Sequence, residues 1–160
     1  MNECTATNAF LGKHSMFGGL TDEELEVIHS LLDEKQYAKG TFILKQGEPN
    51  NSVYFILKGV VSIRKHCPDA LKQEREITQL HIGDSFGEME LIDIQNCAAS
   101  VLCLENTTVT TLSNKDLHAL SKSHLMTYTM IILNLAREIS RRLRATDNLL
   151  ALVHTKATKK

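Results

Sequence analysis

The central part of the chain alternates short apolar segments with turn residues. From Tyr37 to Leu112, segments of about four to seven residues rich in Val, Ile, Phe, Tyr and Thr are separated by Gly, Pro, Asp and Asn. This period is typical of an all-β sandwich or barrel. It predicts seven strands: Lys35–Lys39, Thr41–Lys45, Ser52–Lys58, Val60–Lys65, Arg75–Leu80, Ala98–Leu104 and Thr107–Leu112.

Helical patterns lie on both sides of this region. Thr21 and Glu24 have the spacing of a capping box, and the apolar residues that follow predict one helix before the strands. Ser113 and Asp116 predict a second helix start after the last strand. A long helix is expected over residues 125–153, because this stretch contains neither Gly nor Pro.

The long helix carries a heptad seam. Apolar and other residues recur at alternating steps of four and three, the spacing by which two helices pair: Tyr128, Ile132, Leu135, Ile139, Arg142, Thr146, Leu149 and Val153. We therefore expect a homodimer formed through helix 125–153. The alternative is a helix that folds back wholly onto its own barrel.

Composition narrows the class of protein. A chain of 160 residues with 42% hydrophobic residues can bury one core, and its net charge of -1 does not favour general nucleic-acid binding. We find no secretory signal and no run of about 20 apolar residues, so we expect a cytoplasmic protein without membrane association. Neither the four cysteines nor the seven histidines have metal-ligand spacing, and no metal site is predicted.

Residues 83–101 form the stretch around which the chain is organised. Gly83 and Gly87 bracket Phe86 and permit tight backbone turns. The carboxylate of Glu88 can accept hydrogen bonds from sugar hydroxyls. Small residues at 98 and 99 leave room for backbone N–H groups to point at an anion. We interpret this stretch as a candidate phosphate cradle.

This stretch resembles the phosphate-binding cassette of the cyclic nucleotide-binding domain family. Phe86-Gly87-Glu88, Leu91 and Ala98-Ala99 match the family pattern, and residues 43–59 resemble its second signature, a loop and apolar strand flanked by glycines. The resemblance implies a mainly β fold with flanking α elements: a jelly-roll β-barrel with an N-terminal helix and a long C-terminal helix. The site residues implied are Phe86, Gly87, Glu88, Met89, Cys97, Ala98, Ala99, Arg142 and Thr146.

Two residues depart from the family pattern. Cys97 stands where the family places its phosphate-binding arginine, and Glu90 stands where it prefers a small residue. Removing an arginine that binds a buried anion costs roughly 2 to 5 kcal/mol of binding free energy. We therefore expect cAMP to bind weakly or not at all. The resemblance further implies that Arg142 can pair with Glu88, that Thr146 can contact a purine, and that ligand closes the last helix over the pocket.

The sequence thus predicts a regulatory or signalling module, with three domain segments: a flexible lead-in over 1–16, the domain over 17–153 and a basic tail over 154–160. Two alternatives stay open: a functional sensor of cAMP or another nucleotide-like ligand, and a structural dimeric interaction protein with no ligand. A partner protein is possible.

Catalytic and DNA-reading roles are not expected. No nucleophile comes with a recognisable base and orienting partner, and the resemblance stops where the family's transcription factors continue into a helix-turn-helix. Cys97 has two interpretations, a reactive thiol beside backbone N–H groups or a buried small hydrophobe.

Overall fold

The computed structural model describes residues 6–66, 74–93 and 95–157. Within these residues the chain forms eight strands in two antiparallel sheets of four. The strands are β1 (Asp33–Tyr37), β2 (Phe42–Leu44), β3 (Ser52–Lys58), β4 (Val61–His66), β5 (Glu74–Leu80), β6 (Ser85–Phe86), β7 (Ser100–Cys103) and β8 (Thr107–Ser113). One sheet has the order β1-β8-β3-β6 and the other β2-β7-β4-β5. The predicted jelly-roll barrel is confirmed, with one further, two-residue strand, β6, that the sequence pattern did not predict.

Strand β3 is buried on both faces, which explains its unbroken apolar sequence. Successive side chains in a strand point to opposite faces. Val53 and Phe55 therefore join the core beneath the helices, whereas Tyr54 and Ile56 fill the barrel interior. The strand thus divides the two hydrophobic cores, and one of them lies directly behind residues 83–101.

Five α-helices flank the barrel in the described part of the chain. They are α1 (Asn8–Leu11), α2 (Asp22–Ser30), α3 (Glu88–Asp93), α4 (Asn114–Ser123) and α5 (Leu125–Ala157). The capping box at the start of α2 is confirmed, because the Thr21 hydroxyl accepts from Glu24 N and a Glu24 carboxylate oxygen accepts from Thr21 N. Ser113 caps α4 in the predicted way.

The N-terminal segment differs from the loose lead-in expected over 1–16. Its described part forms α1 and a 3-10 turn over Ser15–Phe17. Leu11 is fully buried, and Met16 lies in the same core. His14 is also buried, and its imidazole ring packs edge to face against the Phe55 ring at a centroid distance of 4.9 Å. This burial lowers the pKa of His14 to about 4, so the imidazole is neutral at physiological pH.

Helix α5 has two distinct halves. In its first half Leu135 is fully buried, and Tyr128, Ile132 and Ile139 pack against the same core. The first four seam residues therefore face the chain's own barrel, as the folded-back alternative predicted. From 141 to 151 every residue is exposed. No helix in the described residues is long and apolar enough to cross a membrane.

Candidate functional site

Residues 83–93 form a turn, the two-residue strand β6 and helix α3, in that order. Phe86 pairs with Tyr54 of β3, and their rings stack at a centroid distance of 4.9 Å. Burial raises the pKa of Tyr54 to about 12, so this phenol stays neutral. Gly87 then takes a φ of +83°, which turns the chain into α3. We call residues 83–99 the cassette; its floor is the barrel core.

Glu88, the first residue of α3, lies where the cassette meets α5. The residue is 3% exposed, and the Arg142 guanidinium forms an ion pair with Glu88 Oε1. Arg142 Nη2 also donates to the backbone oxygen of Ser85 at 3.1 Å. Because the pair joins residues 54 positions apart, it fixes α5 against the cassette. The structure thus brings together the two residues that the resemblance paired.

Cys97 lies at the edge of the barrel core. Cys97 is 3% exposed and shares an apolar cluster with Tyr54 and Phe86. Its backbone is held by the preceding loop, because Cys97 N donates to Glu48 O at 2.8 Å and Gly47 N donates to Cys97 O at 2.9 Å. Burial among apolar groups favours the buried-hydrophobe interpretation of Cys97 over a reactive thiol.

Beside Cys97 lies a cavity of about 310 Å³. Its walls come from the end of β2, from the loop that follows and from β3: Ile43, Leu44, Lys45, Glu48, Pro49, Asn50, Asn51, Tyr54 and Cys97. Lys45 is the one basic residue among these lining residues. Its Nζ lies 4.0 Å from Glu48 Oε1, and both side chains are mostly exposed, so this ion pair is weak.

Asn50 links the two family signatures, a role that the sequence did not reveal. Its Nδ2 donates to Ser52 O at 2.7 Å and to Gly87 O at 3.3 Å, and its Oδ1 accepts from Ser52 N. The Asn50 amide therefore connects the loop before β3 to Gly87 of the cassette. An Asn between Pro and Asn is typical of a turn. No local pattern indicates that it contacts a residue 37 positions away.

The other predicted site residues are more exposed to solvent than Glu88 and Cys97. Met89 and Ala98 are exposed, and Ala99 is half-buried. Thr146 is exposed, and its hydroxyl donates to Arg142 O within the same helix at 3.0 Å. The side-chain orientation of Glu90 lies outside what the structure describes, as do Cys4 and Cys67. Glu138, which the sequence did not single out, places Oε1 3.4 Å from Arg142 Nε.

The sequence profile of the cyclic nucleotide-binding domain family matches residues 34–124, which contain the whole cassette. The chain belongs to this family. It is 32% identical to the cyclic AMP receptor protein of Thermus thermophilus over 133 residues, which cover 82% of this chain and 58% of that protein. It is 40% identical over 86 residues to the cAMP-dependent protein kinase type II regulatory subunit of Drosophila melanogaster, covering 54% of this chain and 22% of the relative.

A solved structure has the same fold. A cyclic nucleotide-binding domain from Methylobacillus flagellatus superposes with a TM-score of 0.80 at 24% identity, covering 89% of this chain and 80% of that one. This similarity confirms the expected fold, and the family profile confirms the recognition from sequence. The chain spans little more than half of the Thermus protein and about a fifth of the Drosophila one.

Proposed function

We propose that this chain is a cyclic nucleotide-binding-like regulatory module in which cAMP binds weakly or not at all. The observation that carries this proposal is the buried side chain of Cys97, which cannot carry a positive charge, at the position where the family pattern has arginine. We infer a regulatory rather than a catalytic role and a cytoplasmic location, the latter because the cysteines that the structure describes, Cys97 and Cys103, are reduced, as is usual in a reducing compartment.

The charge balance of the site supports weak phosphate binding. A buried phosphodiester needs a cation or several charge-assisted hydrogen bonds to offset its loss of hydration. Arg142 is already paired with Glu88 and lies close to Glu138. Lys45 is mostly exposed and lies 4.0 Å from Glu48, so neither Lys45 nor Arg142 replaces a buried arginine at position 97.

A thermal-shift series with cAMP, cGMP, adenosine and guanosine tests this proposal. A ligand that binds only the folded state stabilises it by about 2.7 kcal/mol at a concentration of 100 Kd. We expect cAMP at submillimolar concentration to leave Tm unchanged. A clear rise of Tm with cAMP at micromolar concentration would show an ordinary receptor instead.

One observation favours the alternative of a sensor for a less charged nucleotide-like ligand. The part of the cassette suited to a sugar is intact, since Gly87 has the left-handed turn and Glu88 is buried and held in place. A nucleoside has the sugar hydroxyls without the phosphate charge. A rise of Tm with adenosine or guanosine, but not with cAMP, would select this alternative.

We further propose that the chain forms a homodimer through one face of α5. The pairing face differs from the seam expected from the sequence, because the first part of that seam packs on the chain's own core. A second row has the same heptad spacing, and all its residues are exposed except the half-buried Ser140: Leu133, Ala136, Ser140, Leu143, Asp147 and Leu150. Its three leucines are among the large apolar side chains that remain exposed.

Replacing Leu143 with glutamate is expected to weaken dimerisation by about tenfold or more, which corresponds to about 1.4 kcal/mol. The reason is that the new carboxylate would be desolvated in the interface. Sedimentation equilibrium measures the dimer dissociation constant. Leu149→Glu is the matched control, because Leu149 is equally exposed but lies on the original seam. A monomeric wild-type chain, or dissociation by Leu149→Glu alone, would contradict this pairing face.

A further inference from the structure

A cleft of about 350 Å³ lies between helices α3, α4 and α5. Its lining is mostly apolar, with Ile92 from α3, Leu117 from α4, and Tyr128 and Ile132 from α5. Small-molecule sites have volumes of about 300 to 1,000 Å³, so the cleft is large enough for a ligand. It shares no lining residue with the cavity beside Cys97.

The floor of the cleft is part of the core beneath the helices. Leu117 is buried in that core, and Tyr128 and Ile132 pack against it. Ile92 differs, because about half of it is exposed and it forms the open wall. Core packing holds the floor residues in place. The cleft is therefore preformed, and a ligand would not have to order it on binding.

Three polar side chains line the same cleft: those of Asn114, His118 and Tyr128. None of these three side chains has a hydrogen bond or an ion pair within the described residues. The Asn114 amide, a His118 ring nitrogen and the Tyr128 hydroxyl can each donate a hydrogen bond. A mostly apolar cleft with a few polar groups that lack a protein partner is typical of a small-molecule site, where such groups orient the ligand.

The face of α4 that carries His118 is basic. Lys115 precedes His118 by three residues and Lys122 follows it by four, so the three side chains lie on one face of the helix. All three are exposed, and neither lysine forms an ion pair in the part of the chain that the structure covers. Asp116 lies on another face and accepts a hydrogen bond from the Ser113 hydroxyl. This arrangement favours an anionic ligand group over a neutral one.

We propose that the cleft between α3, α4 and α5 binds a small carboxylic acid with an apolar ring. The ring would lie on the apolar floor, and the carboxylate would accept hydrogen bonds from Asn114, His118 and Tyr128. A cavity of about 150 Å³ holds benzene, so a cleft of about 350 Å³ accommodates one or two rings. This inference goes beyond the proposed function, because it involves no nucleotide and neither Glu88 nor Cys97.

An NMR titration of the full chain, labelled for amide detection, tests the proposal with naphthoate, phenylacetate and acetate. Naphthoate and phenylacetate are expected to bind with a dissociation constant of about 1 mM or tighter and to shift the amide signals of residues 114–118 and 128–136. Acetate, which lacks the ring, should leave these signals unchanged. Naphthamide, a neutral analogue of similar shape, should bind about twofold to fivefold more weakly than naphthoate, as expected for loss of a solvent-exposed charge interaction.

Two variants test the polar groups of the cleft. Tyr128→Phe removes the hydroxyl but keeps the ring that packs on the core, so it should weaken naphthoate binding by about threefold or more without lowering Tm. His118→Ala should weaken binding to a similar extent. The matched control is His124→Ala, which removes an exposed imidazole that does not line the cleft. It should leave the affinity unchanged.

Ala136 lines the cleft and also belongs to the row proposed for pairing. Each titration is therefore repeated with the Leu143→Glu chain, which should bind naphthoate with the same affinity as the wild type. Loss of binding in that chain would mean that the ligand requires a second copy, which would contradict a site built within one chain.

Three other results would overturn the proposal. The first is that neither ring-bearing acid shifts the signals of residues 114–118 and 128–136 at millimolar concentration. The second is that Tyr128→Phe and His118→Ala weaken binding no more than His124→Ala does. The third is that naphthamide binds as tightly as naphthoate, which would exclude a carboxylic acid as the preferred ligand. No nucleotide is present in these titrations, so their outcome is independent of whether cAMP binds.

Discussion

Replacing Cys97 with arginine is expected to raise the affinity for cAMP by about thirtyfold to several thousandfold, which corresponds to roughly 2 to 5 kcal/mol. The new guanidinium would supply the charge that a buried phosphodiester needs. The structure offers room for the side chain, because Cys97 borders the cavity of about 310 Å³. Isothermal titration of both chains with cAMP measures the change.

Two further variants separate the effect of charge at position 97 from the effects of side-chain size and of Glu90. Cys97→Met adds bulk to the same cavity without charge, so it should leave the cAMP affinity near that of the wild type. Cys97→Arg combined with Glu90→Ala removes a carboxylate from the same cassette and should bind cAMP at least as tightly as Cys97→Arg alone. Equal affinities for the methionine and arginine chains, both folded, would mean that charge at position 97 does not limit binding.

Replacing Gly87 with alanine is expected to destabilise the fold by about 3 kcal/mol, since it combines left-handed backbone strain of about 1 to 2 kcal/mol with steric overpacking of about 1 to 3 kcal/mol. Gly87 has a φ of +83°, and an added Cβ would lie 2.8 Å from Ser52 O and 2.9 Å from Asn50 Nδ2. Relief of this clash would disturb the Asn50 amide that fastens the loop to the cassette. Urea unfolding of both chains measures the loss.

Gly83→Ala is the matched control for this glycine. Gly83 has a nearly identical φ of +88°, but an added Cβ would meet nothing within 4 Å. It should therefore cost only the backbone strain, about 1 to 2 kcal/mol. Equal losses for the two alanine variants would show that close approach at Gly87 contributes nothing to the stability of the cassette.

The strands and the cassette were predictable because their signals are local. Turn residues and β-rich segments predicted the barrel, and the Phe-Gly-Glu signature identified Glu88 as a site residue. The pairing of Glu88 with Arg142 came from the family resemblance, since no local pattern joins residues 54 positions apart.

Two features could not be read from the sequence for physical reasons. Leu11, Met16 and Phe17 contribute to the core from very short helical turns, where too few residues are present to show a helical period. The heptad pattern identifies only which face of α5 is apolar. It does not distinguish packing on the chain's own barrel, which the first half of α5 makes, from packing on a second copy.

Isothermal titration of the unmodified chain with cAMP tests the central claim most directly. Because Cys97 is buried and brings no positive charge, and because Arg142 is ion-paired with Glu88, we expect a dissociation constant for cAMP well above the micromolar range, or no detectable heat of binding. A sub-micromolar dissociation constant at one site per chain would contradict the account, because the phosphate would then be held without an arginine at position 97.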